Sequence, residues 1–261
     1  MLEYCPLGSL TTFLEVNKLT NNGRESPLVW HFLFDLLIGM AYMHGQHYLH
    51  LDVKPGNIFL ASGPDMHRTA IAKLGDFGLA WQLDSEEPPP ALGDGMYLAP
   101  ELFEAEWLDT PSTASKPTAA ADMFALGVTM FAVATSYAIT SELWMLFKKG
   151  EVRRLDDHMS PELGELLRAL FNVAPQARPS AQQVLDHANA RRIAHELHRE
   201  LPELRHPGAD TLNSSLDLNL EDVSLDDDEP AARERTAKKR RKSATVKKDL
   251  FSIFNDADTD D

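Results

Sequence analysis

His50-Leu51-Asp52-Val53-Lys54-Pro55-Gly56-Asn57 sets a carboxylate, an ammonium and a carboxamide within one tight loop. Upstream of it, apolar residues recur at helical spacing from Pro27 to His44 (Phe32, Leu36, Met40, Met43), which predicts a helix leading into Tyr48-Leu49-His50. Downstream, Asn57-Ile58-Phe59-Leu60 and Ala70-Ile71-Ala72-Lys73-Leu74 are short apolar runs separated by the turn-rich Ser62-Gly63-Pro64-Asp65, the pattern of a hairpin. Asp76-Phe77-Gly78 and Ala99-Pro100-Glu101 follow in that order. Singly, each piece has a bland reading: His50 as a satisfied core histidine, Lys54 as a solvated lysine, Asp76-Phe77-Gly78 as a strand-end turn. Only their joint order overturns these.

Beyond Glu101 the pattern is helical to about Leu204, interrupted by loops near Thr110 to Lys116 and Leu155 to Ser160. Ser180 and Gln183 form a capping-box pattern just after Pro179, and the helix they start is expected to run through His195 towards Pro202. From residue 206 to 261 Asp, Glu, Ser and Lys dominate and aromatic residues nearly vanish, so this tail is expected to be disordered. The reading is one domain over 1–205 and an acidic tail over 206–261. No internal repeat is visible.

The formal charge of −15 argues against a nucleic-acid-binding body, because neutralising phosphates requires an excess of Lys and Arg. A hydrophobic content of 43% is enough to bury a core. The one cysteine, Cys5, cannot form an intrachain disulfide, so cytosol or nucleus is expected. The N-terminus lacks the basic start and apolar run of a secretory signal. The longest apolar run, Met123 to Ala134, has the length of a buried core helix, and no membrane contact is expected.

Together, His50-x-Asp52-x-Lys54-x-x-Asn57, Asp76-Phe77-Gly78 and Ala99-Pro100-Glu101 resemble the catalytic loop and the two later motifs of protein kinases. The resemblance implies an α+β protein-kinase fold, read here as the mostly helical C-terminal lobe only, with ATP and Mg²⁺ as cofactors and a protein substrate. Phosphoryl transfer asks the enzyme to place an acceptor hydroxyl in line and to neutralise phosphate charge. Asp52 suits the first task, orienting the hydroxyl and accepting its proton, and Lys54 the second. Asn57 and Asp76 are hard oxygen ligands of the kind Mg²⁺ takes. The resemblance gives His50 a structural role beside Phe77. It makes Glu101 and Arg178 a buried ion pair, and Asp122 the residue that holds the catalytic-loop backbone.

More narrowly, residues 1 to about 190 resemble the Wee/Myt family of mitosis-inhibitory kinases. The features are Leu51 where most kinases carry arginine, Lys54-Pro55-Gly56-Asn57-Ile58-Phe59, Gly93-Asp94 where serine/threonine kinases usually have Gly-Thr, and the helix Ala121-Asp122-Met123-Phe124-Ala125-Leu126-Gly127. Trp144, Lys149-Gly150, Leu166-Leu167 and Arg178-Pro179-Ser180 continue the likeness. It implies phosphorylation of an inhibitory tyrosine on a cyclin-dependent kinase. Lys54 itself is of the serine/threonine-kinase type, so the tyrosine acceptor rests on the resemblance. Leu92 and Met96 depart from the family's usual glutamate and arginine. With Leu51 there is no arginine to dock an activation-loop phosphate, and between Leu79 and Pro100 the hydroxyl side chains are Ser85 and Tyr97. Activity independent of activation-loop phosphorylation is expected.

By the same resemblance Met1 falls at the hinge, Leu2 at the gatekeeper position, Glu3 and Cys5 at the backbone positions that bond adenine, and Phe59 under the adenine. Gly8-Ser9-Leu10 opens the next helix. The small N-terminal lobe, with its glycine-rich loop, strand lysine and helix glutamate, is read as missing, and a truncated gene model of an active kinase is favoured over a real short product acting as a binding fragment. In the tail, Lys238-Lys239-Arg240-Arg241-Lys242 reads equally as a nuclear-localisation signal or a solvated cluster. Two other readings stay open: a translation-initiation-factor kinase, whose loop is similar, and a catalytically inactive lobe acting as a binding module. Intact Asp52, Lys54, Asn57 and Asp76 speak against the latter.

Overall fold

The computed structural model describes residues 3–21, 24–66, 68–87, 89, 91, 93–104, 116–152, 159–199 and 201. Leu2, Leu92, Pro88, Pro90, most of both expected interhelical loops, the expected disordered tail and its basic run lie outside the described residues. The chain divides into two units, Met1–Leu204 and Arg205–Asp261, and every described residue falls in the first.

Ser9 caps the first helix, α1 (Leu10–Val16), by accepting a hydrogen bond from the Thr12 amide. A two-residue pairing of β1 (Thr20–Asn21) with β2 (Arg24–Glu25) precedes α2 (Pro27–Gly45), the helix expected from Pro27 to His44. Ser26 caps α2 and Pro27 occupies its first turn, where a missing N–H costs nothing. By length and composition α2 could cross a membrane. In this fold it is a core helix, with Phe32, Leu33, Phe34, Leu36, Leu37 and Met40 fully buried.

The expected hairpin forms from β4 (Ile58–Ser62) and β5 (Ala70–Leu74), antiparallel, with Ile58 opposite Leu74 and Ser62 opposite Ala70. It packs on α2. Asp35 of α2 fixes the contact: its carboxylate accepts the Ala72 amide at 3.0 Å and the Arg199 guanidinium at 2.7 Å, and pairs with Arg68. Between α2 and the hairpin, β3 (Tyr48–Leu49) pairs with β6 (Trp81–Gln82) and brackets the motif-bearing loops.

Among the described residues the remaining elements are chiefly helices: α3 (Pro100–Glu104), α4 (Ala119–Thr135), α5 (Ser141–Lys148), α6 (Pro161–Leu170), α7 (Ala181–Asp186) and α8 (Ala188–Glu196). The apolar run read from Met123 to Ala134 is the centre of α4, buried on every side. A Cβ at Gly127 would sit 3.0 Å from Leu170 and 3.1 Å from Phe171, so glycine lets α4 and α6 approach closely. Phe147 stacks on Phe171 with centroids 4.4 Å apart, and Phe124 meets Phe171 edge-on.

The single helix expected from Ser180 to beyond His195 is corrected to two. The capping box of Ser180 and Gln183 is present. His187, however, leaves the helical region (φ −64, ψ 139) and its Nδ1 accepts the Asn189 amide, ending α7 and capping α8. Nor does the helix reach Pro202. His198 turns left-handed (φ 51), the Arg199 amide bonds back to Ala194 at 2.8 Å, and the Arg199 side chain is drawn in to Asp35. A buried ion pair thus overrides a favourable helical pattern.

Candidate active site

The loop after β3 is hung from α4. Asp122, 1% exposed, accepts the His50 amide through Oδ2 at 2.8 Å and the Leu51 amide through Oδ1 at 2.8 Å. His44 of α2 bonds the same Oδ2 at 2.9 Å. These bonds hold Leu51 in the left-handed region (φ 61), an unfavourable conformation for a non-glycine residue. Asp122→Asn gives up one acceptor under two buried amides and is expected to cost about 1–3 kcal/mol. Chemical denaturation of the purified variant reads that loss.

Asp52, Lys54 and Asn57 converge. Asn57 Nδ2 donates to the Asp52 carboxylate Oδ2 at 2.6 Å and to the Asp52 carbonyl at 2.9 Å, and Lys54 Nζ lies 3.0 Å from the same Oδ2. The Asp94 amide donates to Oδ1 at 3.1 Å. Burial pushes the Asp52 carboxyl up, but the Asp94 amide, Lys54 and Asn57 together hold it below the usual carboxylate range. At neutral pH it is an ionised acceptor, aimed by donors on both oxygens.

Asp76 follows β5 in a left-handed conformation (φ 57, ψ 73), and its Oδ1 accepts the Gly78 amide at 3.4 Å. His50 is fully buried, bonds the Gly75 carbonyl at 3.0 Å and packs on Phe77 with centroids 5.4 Å apart, the structural role expected of it. Asn57 and Asp76 are two oxygen donors, and the Asn57 amide oxygen takes no part in the bonds that its nitrogen makes. That set fits Mg²⁺, which takes one or two protein oxygens and fills its shell with water and phosphate.

The segment before α1 lies along β4. The Leu7 amide donates to the Leu60 carbonyl at 3.1 Å and the Leu60 amide to the Gly8 carbonyl at 2.9 Å. Glu3 pairs with Lys73 at 2.9 Å, and Lys73 is the cross-strand neighbour of Phe59. The Phe59 ring closes over Gly75, where a Cβ would fall 2.7 Å from it. Glu3 and Phe59 are thereby brought to one end of the hairpin, and the Cys5 carbonyl accepts the Gly8 amide at 3.2 Å in the turn beside β4.

Sequence reasoning treated Gly93-Asp94 as a family marker and did not place Asp94 at the site. It also missed His44 under Asp122 and, although Trp144 was a marker of the likeness, the bond by which its indole donates to the Leu98 carbonyl at 3.0 Å and ties the segment before α3 to α5. Each is a contact across many residues, invisible to local spacing.

A profile of the protein kinase domain matches residues 1–189. Wee1-like protein kinase 2 of Mus musculus is 30% identical over 198 residues, 69% of this chain and 34% of the relative. The membrane-associated tyrosine- and threonine-specific cdc2-inhibitory kinase wee-1.3 of Caenorhabditis briggsae is 33% identical over 168 residues, 62% of this chain and 23% of the relative. The eIF-2-alpha kinase GCN2 of Arabidopsis thaliana is 32% identical over 217 residues, 75% of this chain and 16% of the relative. The chain therefore spans about a third or less of the length of these relatives. In a chain that matches this domain, a hairpin and a helical core present an aspartate, a lysine and an asparagine from one loop, the scaffold of a phosphotransferase. The chain belongs to the protein kinase family, with the protein-kinase fold.

Proposed function

We propose that the chain supplies the catalytic loop of an ATP-dependent protein kinase of the Wee-like type, which phosphorylates an inhibitory tyrosine of a cyclin-dependent kinase and restrains entry into mitosis. The observation that supports phosphotransfer is the Asp52 carboxylate, kept ionised and oriented by Lys54, Asn57 and the Asp94 amide, and the Wee-like part of the reading rests on the similarity to Wee1-like protein kinase 2 and wee-1.3. Asp52 orients the acceptor hydroxyl and takes its proton, and Lys54 offsets charge on the transferring group. Asn57 and Asp76 would hold Mg²⁺, which neutralises phosphate charge when bound. The Glu3 and Cys5 backbone and the Phe59 ring would receive the adenine.

Residues 1–205 are read as the kinase domain and 206–261 as an acidic appendage whose basic run, Lys238 to Lys242, directs the protein to the nucleus. A second reading, an initiation-factor kinase, is favoured by the GCN2 relative, whose match covers the larger share of this chain. The test is phosphotransfer by the longest natural product of the gene to two peptides, a cyclin-dependent-kinase glycine-rich-loop tyrosine and an initiation-factor serine. Preferred transfer to the tyrosine supports the first reading, preferred transfer to the serine the second, and transfer to neither by a folded, ATP-binding protein overturns both.

Local bonds tie together described residues after Asp76. Leu51 is buried, Lys116 Nζ donates to the Ser85 carbonyl at 3.0 Å and sits 5.9 Å over the Trp81 ring, and the Trp81 indole donates to the Glu87 carbonyl. Ser85 Oγ accepts the Glu87 amide at 3.1 Å, a short-range turn contact. Ser85→Ala is expected to leave phosphotransfer near the parent rate. Loss of activity in the folded variant would count against phosphate independence.

A further inference from the structure

Asp94 makes more bonds to its surroundings than a family marker requires. Its amide donates to Asp52 Oδ1, the oxygen that Asn57 and Lys54 leave unused. Its own Oδ1 accepts the Met96 amide at 3.1 Å, and its carbonyl accepts the Tyr97 amide at 2.9 Å, so the side chain closes the turn that presents the amide. Gly93 makes the approach possible: a Cβ there would fall 2.4 Å from the Leu51 carbonyl oxygen and 2.6 Å from Asp52 Oδ1. A Cβ at Gly95, two residues on, would meet nothing within 4 Å. Burial, then the Asp94 charge, raises the Tyr97 phenol to about 12, so it remains a neutral packing group beside this turn.

We infer that Asp94 is a positioning residue for Asp52: its side chain closes a turn on Met96, the turn aims the Asp94 amide, and that amide fixes the carboxylate oxygen on which Asn57 and Lys54 do not act. The inference rests on the kinase reading for its effect on rate. It works through hydrogen bonds and not through charge. Lys54 Nζ is 4.0 Å from Asp94 Oδ2, whose side chain is 42% exposed, a separation and exposure at which an ion pair contributes little. Asparagine can close the same turn with its amide oxygen, whereas alanine cannot.

The experiment compares the parent, Asp94→Ala, Asp94→Asn, Gly93→Ala and Gly95→Ala in the longest natural product of the gene, measuring kcat and the KM for ATP. Asp94→Ala and Gly93→Ala are expected to lose about 10- to 100-fold in kcat, as misplacement of a reacting group does, with the KM for ATP unchanged. Asp94→Asn recovers most of the loss and Gly95→Ala keeps the parent rate. An Asp94→Ala variant with parental kcat, or an Asp94→Asn variant as slow as Asp94→Ala, overturns the inference. Amide hydrogen exchange of residues 93–97 separates this from the fate of the kinase reading. If no phosphotransfer is found even in the parent, the kinase reading fails, and the inference then stands only if the Asp94 amide exchanges faster in Asp94→Ala and in Asp52→Ala than in the parent. Equal exchange in all three overturns it.

Discussion

Asp52→Asn is expected to lower phosphotransfer by about 10²- to 10⁴-fold, the range typical of removing a general base, while the protein stays folded and binds ATP as before. The expectation follows from the donors around the carboxylate. Oδ1 faces the Asp94 amide and Oδ2 faces Asn57 Nδ2 and Lys54 Nζ. An asparagine has one acceptor and one donor end, so in either orientation its NH₂ opposes an N–H or an ammonium. The side chain then both loses its basicity and is pushed from its place. Steady-state kinetics beside circular dichroism and ATP titration check this, and a variant within tenfold of the parent would remove Asp52 from the catalytic role.

How much of this was legible beforehand depends on range. α2 and the β4–β5 hairpin were readable because their signals are local: a Ser26-Pro27 start with a helical apolar period, and two apolar runs around a glycine-containing turn. The grouping of Asp52, Lys54 and Asn57 was readable because one short loop carries all three. Asp94 was not, since its contact with Asp52 depends on a chain segment returning across the loop with no side chain at Gly93 to block it. The break at His187 was also hidden: the residues on either side suit a helix, and what stops it is one histidine that caps the next helix instead of continuing the last. Arg199 reads in the sequence as one more charge near a helix end, yet it reaches Asp35 of α2 and sets where the helical region finishes.

The largest stability loss is expected at Arg178. Its side chain is fully buried and makes a two-pronged contact with Glu101, Nη1 to Oε1 at 2.7 Å and Nη2 to Oε2 at 2.8 Å. It also donates to the carbonyls of Asn172, Ala120 and Val173 and lies over the Phe124 ring. Breaking a buried pair by removing one partner costs about 3–5 kcal/mol, because the remaining charge loses its counter-charge. The two halves are not equivalent. Glu101 is 22% exposed, so once Arg178 is gone water can reach the carboxylate, but the three carbonyls inside cannot be rehydrated as easily. Glu101→Ala leaves the guanidinium those carbonyls and strands only its charge. Arg178→Ala is therefore expected to be the worse of the two, lowering the unfolding midpoint by roughly 6–20 °C at about 2–4 °C per kcal/mol for a domain of this size. Scanning calorimetry of the two single variants and the double variant tests it: the double should be little worse than Arg178→Ala alone, and strict additivity would mean that the two residues do not act as a pair. The effect should extend to the active site, since Glu101 stands in the first turn of α3 and the chain just before it carries Leu98, bonded to Trp144, and the Gly93-Asp94 turn that steadies Asp52.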